Sequence, residues 1–455
     1  MEATQDMKPG GLQSMFSRRN FLKGAAALSA AASMPRIFGQ QRTGAPFGTV
    51  WLYIGTYTGN PASIYGRGQG IYLCELNLST GKLTVLRLVA PALPAVGMTP
   101  STASPSTIDL NPDHTRLYVG NEYGPPGAVS VYSINRLTGD LTLLNVQPAA
   151  GAPAHVSVDH KGKYLFSAEY SGSWFEAFPI LSDGKLGPAV FQMQTVGNVG
   201  PKIATNAPPG SFAVSAHEGP NGHPHQMEAD PSNKWVLGSD AGQDRIYVWK
   251  LAQPGAPVGT PVLTPAAIPF VNTPPGDGPR HFAFHPNGIW MYSIQEEAST
   301  IMLWRFNPAT GALSPEQIIS SLPQGYVGTN FTSEIRVSSD GRFVYGANRL
   351  NDTIGVFSIG ANGRLTRVSH TSTLGDYPRI FTIDPTGRFM VVGNQAADHV
   401  TTFRINRGDD RDDDDRKERG DDRKEEDAGQ GRRGTLTFTG DYTPVPSASG
   451  IVFLT

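Results

Sequence analysis

One cysteine, Cys74, is all that 455 residues supply, so no disulfide can form within the chain. Its thiol is expected to be buried, which leaves an oxidising compartment nothing to work on. An excess of either charge is also missing. The net charge is −2, and residues 407–433 alone hold 9 basic and 12 acidic groups, leaving 28 basic against 27 acidic in the rest. Such a balance builds no field for nucleic acid or an acidic membrane, so a polyanionic partner is not expected. Long apolar runs are scarce: the stretch Gly24–Ala32 is too short for a stable membrane span. Helical 3.6-residue periodicity is hard to find beyond residue 40.

Turn-forming residues are what the chain has in quantity. Its 52 glycines and 37 prolines make up about a fifth of it, the composition of many short strands joined by tight turns. At the N-terminus, Ser17-Arg18-Arg19-Asn20-Phe21-Leu22-Lys23 matches the twin-arginine export signature and is followed by an alanine-rich run. Residues 1–40 are therefore expected to be a signal peptide cut near Ala32 to Gln40. The twin-arginine machinery is expected as a partner, and the periplasm or another exported location as the destination. That route carries folded proteins, which suits a fold whose first and last strands must meet.

A repeat is visible by eye. Asn111-Pro112-Asp113, Asp230-Pro231-Ser232, His285-Pro286-Asn287 and Asp384-Pro385-Thr386 each separate two strand-like runs. Asp159-His160-Lys161-Gly162 and Ser338-Ser339-Asp340-Gly341 hold the same place without proline. With 112, 160, 231, 286, 339 and 385 taken as equivalent, the steps are 48, 71, 55, 53 and 46, the longest absorbing a loop over 196–224. Runs such as His281–Phe284, Arg342–Tyr345 and Thr353–Phe357, then a glycine turn and a short fourth run, give four antiparallel strands per unit. Trp51–Leu83 supplies a seventh unit, and Ile451–Leu454 is a spare strand expected to close the ring. The prediction is an all-β, seven-bladed propeller of four-stranded blades over residues 50–455. Its last blade carries a charged insertion, 407–433, with too little apolar surface to order itself and without the spacing of a calcium loop.

The register also yields a map. First strands should begin near Ser106, His155, His225, Arg280 with His281, Glu334 and Arg379. Second strands should end at Asn121-Glu122, Glu169-Tyr170, Asp240-Ala241, Gln295-Glu296, Asn348-Arg349 and Asn394-Gln395. Antiparallel pairing brings both sets to one mouth of the central channel. The asparagines and Asp240 are read as turn caps. His225, Arg280, Glu296 and Arg349 are not explained that way and become the candidate site. His155, His281, Glu334 and Arg379 are candidate substrate contacts.

His223-Pro224-His225-Gln226, Gly278-Pro279-Arg280-His281, Gln295-Glu296, Ser333-Glu334-Ile335 and Pro378-Arg379 resemble the bacterial lactonase propellers. So does the opening Tyr53-Ile54-Gly55-Thr56-Tyr57-Thr58. That family includes propeller-type 6-phosphogluconolactonases and is similar to carboxymuconate lactonising enzymes. The resemblance spans about residues 50–455, apart from the insertion. It implies hydrolysis of a lactone without a cofactor or metal, with catalytic groups on His225, Arg280 and Glu296 and a further arginine on Arg349. Opening a lactone needs a base for water, a cation or donor for the oxyanion, and a proton for the leaving alkoxide. The chain departs from the family at Gln295, where Asn is usual, in its insertion and in its export signal, which sits poorly with a sugar-phosphate substrate. A lactone-forming cycloisomerase and a non-catalytic binding propeller of the cell envelope are alternatives that the sequence leaves open.

Overall fold

The computed structural model describes residues 48–59, 66–93, 102–197, 201, 203–212, 221–257, 259–408 and 433–455. Seven four-stranded antiparallel sheets follow one another around an axis, with no α-helix among the described residues. Six are built from consecutive segments. Blade 2 starts with Pro105–Leu110, blade 3 with Ala152–Val158 and blade 4 with Pro224–Ala229. Blade 5 starts with Pro279–Phe284, blade 6 with Thr332–Val337 and blade 7 with Pro378–Ile383. Blade 1 is made from both ends: Ala448–Leu454 is its inner strand and pairs antiparallel with Thr49–Thr56, followed by Gly70–Asn77 and Leu83–Pro91. The spare C-terminal strand thus closes the ring and leaves no inner edge open.

The repeated turn has a physical basis in its first residue. Asp384 Oδ1 accepts from the backbone N–H groups of Arg388 (2.7 Å) and Phe389 (2.5 Å), and Oδ2 from Thr386 (2.8 Å). Asp230 holds Lys234, Trp235 and Ser232 in the same way at 2.8, 2.7 and 3.0 Å. The side chain satisfies donors that the turn would otherwise orphan. Three residues on, the backbone is left-handed, so Gly387 (φ 66°) stands there in blade 7 and Asn233 (φ 55°) in blade 4.

Strand alternation sends apolar side chains into the spaces between neighbouring blades. Blades 4 and 5 pack Trp235, Leu237 and Val248 against Phe282, Met291 and Trp304. Blades 7 and 1 pack Phe389 and Val391 against Leu52, Ile54 and Phe453. Each such buried side chain contributes about 1.5–3 kcal/mol. Cys74 lies in this last core and is fully buried. Burial pushes its thiol up to about 12, the state of an inert packing group.

The third strand of blade 7, His399–Ile405, is followed by the charged insertion and then by Leu436–Pro444. Residues 409–432 of it lie outside the described residues. Its flanks Gly408 and Arg433 stand at the end where third strands finish, which is the rim opposite the one where inner strands begin.

Candidate active site

Each inner strand carries a bulge near its start. In blade 5, Pro279 pairs with Gln295 and His281 with Ile294, so Arg280 is the extra residue. The same shift isolates His225 in blade 4, Arg379 in blade 7 and Ser106 in blade 2. In blade 1 it isolates Ser449, between Ala448 and Gly450. Proline opens the strand at 105, 224, 279 and 378, where no ladder N–H is needed, and the bulge that follows re-aims the next side chain toward the axis. Opposite the bulges the second strands end, and in five blades the residue just beyond joins the same ring: Tyr57, Glu122, Glu296, Arg349 and Gln395, while in blade 3 Tyr170 is next to last in the strand itself.

Three of the expected residues, Arg280, Glu296 and Arg349, meet at these strand ends. Glu296 is held between two guanidinium groups. Arg280 Nε lies 3.5 Å from its Oε2, and Arg349 Nη2 contacts Oε1. All three are nearly buried. Arg280 Nη1 also donates to the Ser333 carbonyl at 2.6 Å, and the Arg280 carbonyl accepts from Ser239 Oγ at 2.6 Å. Burial and the charge of Arg349 lower Arg280 to about 10, with Glu296 opposing, so it stays cationic at neutral pH. Burial pulls Arg349 down as well, but Glu296 outweighs it and the net shift is upward.

His225 stands on the blade before Arg280. Its ring makes edge contacts with Tyr170 at 5.7 Å and His281 at 5.0 Å between centroids. Its Nδ1 is buried and has no hydrogen-bond partner. Burial, then the charges of Arg280, His281 and Arg379, hold it well below the usual imidazole range. It is a neutral base facing a cationic site.

The remaining candidates divide into two tiers. Arg379, on its bulge, belongs with Arg280. Its Nη2 contacts the Tyr57 hydroxyl and lies 3.7 Å from Glu122 Oε2. Glu122 in turn accepts from Tyr57 (2.5 Å) and Ser106 (2.7 Å). His155, His281 and Glu334 sit one residue further along their strands, hence deeper in the channel, where with Ser106, Arg280 and Arg379 they line a cavity of about 130 Å³. The single equivalence that the sequence suggested is thus resolved into two by the bulge in each strand.

Within the deeper tier His281 Nδ1 donates to Glu334 Oε2 at 3.1 Å, and its Nε2 faces Arg280 Nη1 at 3.4 Å. Arginine can only donate, so Nε2 accepts and the proton is assigned to Nδ1. Burial and Arg280 lower His281 to about 4, against the pull of Glu334. Burial would raise Glu334, but Arg336, 3.2 Å away, and His281 outweigh it and bring it to about 2. A carboxylate and a neutral imidazole thus fix Arg280 from below. His155 reaches His281 edge-on at 5.4 Å.

Two residues at the mouth escaped sequence reasoning. Tyr377 OH accepts from Arg349 Nη1 at 3.3 Å, and the guanidinium lies over its ring at 5.2 Å. Its φ of 62° is a strained setting for a bulky side chain. Tyr57 was read only as part of an opening strand, because its inner-strand partner comes from residues 448–454. Two rim asparagines tie segments together rather than cap turns: Asn348 Nδ2 donates to the Ser321 carbonyl of the preceding blade at 3.0 Å, and Asn394 Nδ2 to Thr401 Oγ1 on the adjacent strand at 3.0 Å. Asp240 Oδ1 accepts from the His223 N–H at 2.7 Å.

Comparison with known proteins agrees with this architecture. Residues 51–411 match the family described as lactonase, 7-bladed beta-propeller, and residues 15–35 match the signal sequence of the twin-arginine translocation pathway. The chain is 31% identical over 357 residues to the 6-phosphogluconolactonase of Bacillus subtilis, covering 78% of this chain and 91% of that one. To the 6-phosphogluconolactonase of Pectobacterium carotovorum it is 30% identical, covering 78% and 92%. Among solved structures, the periplasmic gluconolactonase of Pseudomonas aeruginosa superposes with a TM-score of 0.70 at 26% identity, covering 90% of this chain and 99% of that one. Fold, length and signal together make this chain an exported member of the lactonase seven-bladed β-propeller family.

Proposed function

We propose that this lactonase opens its substrate at the channel mouth, with His225 moving the proton and Arg280 carrying the charge that develops. The observation that carries the reading is a neutral, buried imidazole with an unshared Nδ1 that feels the charge of Arg280, itself one of two guanidinium groups clasping one carboxylate. Water attacks the lactone carbonyl as His225 takes its proton. The carbonyl oxygen becomes an oxyanion, and Arg280, held by Ser333, His281 and Glu296, stabilises it without reorganising. The ring C–O bond then breaks, and the leaving alkoxide takes the proton back from His225. The product is a hydroxy acid, whose ionisation releases one proton to solution.

Sequence position suggests that Glu296 shares the proton work. Its clasp by Arg280 and Arg349 supports a second role, setting both guanidinium groups, and the two roles separate kinetically. Arg349, over Tyr377, is suited to anchor the substrate. The test is proton release by the purified mature protein on a panel of lactones, followed by pH-stat. Arg280→Ala should lower kcat/KM by about 3 kcal/mol, on the scale of one oxyanion donor. Loss of less than threefold would remove Arg280 from the mechanism. Failure to accelerate any lactone would remove hydrolysis itself.

A further inference from the structure

The blades are separate sheets, so each inner strand has a backbone ladder on one side only. Its free edge carries N–H and C=O groups that need other partners. In blade 5 the groups of Phe282 find them on a side chain of blade 4. Gln226 Oε1 accepts from the Phe282 N–H at 2.6 Å, and Nε2 donates to the Phe282 carbonyl at 3.1 Å. The second hydrogen of Nε2 goes to Glu228 Oε2 at 2.6 Å, so the amide can stand only one way round. Ser239 opposes Gln226 across the strand pair of blade 4, and its Oγ donates to the Arg280 carbonyl at 2.6 Å. Both side chains are buried on the face of blade 4 that packs on blade 5, two residues from Leu237 in the case of Ser239.

The place of these bonds ties them to the chemistry. Gln226 directly follows His225, and Phe282 lies two residues past Arg280. Three hydrogen bonds thus pin the strand of the base to the strand of the cation that meets the oxyanion. The same amide device recurs on two fourth, outermost strands, away from the channel. There Asn145 brackets the backbone of Leu186 at 2.8 and 3.1 Å, and Gln317 that of Leu365 at 2.9 and 2.7 Å. We infer that Gln226, with Ser239 beside it, is a positioning residue that sets the distance between His225 and Arg280. The inference rests on the roles proposed above for those two. His225 must deliver water to the carbonyl carbon while Arg280 meets the charge growing on the oxygen of the same group. That double fit is required only in the transition state, so an error in spacing lowers kcat and leaves substrate binding nearly untouched. An apolar side chain at 226 would fill the space but leave the Phe282 N–H and C=O unbonded, and the two strands would lose their common register.

The experiment measures kcat and KM of Gln226→Met, Ser239→Ala and Gln317→Met on the lactone that the panel selects. Gln226→Met should lose about tenfold or more in kcat, and Ser239→Ala about threefold or more, each with KM changed by less than about threefold. Gln317→Met removes the same device on an outermost strand and should keep kcat within about twofold. In an Arg280→Ala background Gln226→Met should cost less than about threefold more, because the distance it sets has lost one end. Three results overturn the inference: kcat of Gln226→Met within about threefold of wild type, an equal fall in Gln317→Met, or the full loss repeated in the Arg280→Ala background. If Gln226→Met does not fold, the smaller change Ser239→Ala decides by the same comparisons. If His225→Ala and Arg280→Ala themselves keep near wild-type kcat, the proposed function has failed rather than this refinement of it.

Discussion

Replacing Glu296 by Gln keeps the shape of the side chain and removes the single negative charge between two buried cations. Arg280 Nε stands 3.5 Å from the carboxylate, and the side chains of Glu296, Arg280 and Arg349 are exposed by only 11%, 2% and 5%. At an effective dielectric constant of about 20, a unit pair at that separation is worth roughly 5 kcal/mol before desolvation. Removing one partner of a buried ion pair costs about 3–5 kcal/mol in practice, because the remaining charge is left uncompensated. A propeller of about 400 residues has an unfolding entropy near 0.8 kcal/mol/K at Tm, so the variant should melt roughly 4–6 °C lower. Differential scanning calorimetry reads this directly. Adding Arg349→Met removes one of the two orphaned cations, so the double variant should regain about half of the loss. A fall of less than 1 °C in Glu296→Gln, or no recovery in the double variant, would refute the claim that this triad is energetically coupled.

Three further outcomes follow from the same structure. His225 is held well below the usual imidazole range by burial and then by Arg280, so it stays neutral as pH falls through 6.5. An ordinary histidine would be about nine-tenths protonated at pH 5.5, whereas kcat/KM of this enzyme should change less than twofold between pH 7.5 and 5.5. An acid limb with a midpoint near 6.5 contradicts that account. Deleting 407–433 and joining Asn406 to Gly434 should leave turnover within twofold and Tm within 2 °C or so, because both flanks stand at the rim away from the mouth. A large loss of either would show that the segment packs on or serves the site. Replacing Arg18 and Arg19 by Lys should trap unprocessed precursor in the cytoplasm, as the match over residues 15–35 implies. Normal export of that variant, measured by fractionation and immunoblot, would discredit the signal.

The propeller was legible because its turns repeat a chemical device, an Asx side chain capping the turn with a left-handed residue three places on. The mouth was legible because antiparallel pairing is local: Pro279 opposes Gln295, so Arg280 and Glu296 must share a rim. What one chain could not reveal was the bulge. A single extra residue sets Arg280 on the mouth and His281 below it, and it puts His155 and Glu334 with His281 rather than with His225. Alternation patterns do not announce such a shift. Tyr57 stayed hidden for a different reason, since its blade is assembled from strands some 390 residues apart, Thr49–Thr56 and Ala448–Leu454. Tyr377 was invisible because its orientation depends on a strained φ that no composition signals. The chemistry of Arg280 was visible as a residue type, but its support by Ser333 and by the His281–Glu334 pair depends on how blade 6 packs beside blade 5, which no spacing within one blade reveals.

Steady-state kinetics of His225→Ala and Glu296→Gln, side by side on the best lactone of the panel, put the mechanism to its most direct test. If His225 moves the proton and Glu296 sets the arginines, His225→Ala should lose about 10²–10⁴-fold in kcat. Glu296→Gln should lose less in kcat than His225→Ala and keep the flat acid limb of the wild type, since the base is still present. Near wild-type kcat in both variants would contradict the account and return the channel mouth to a binding surface.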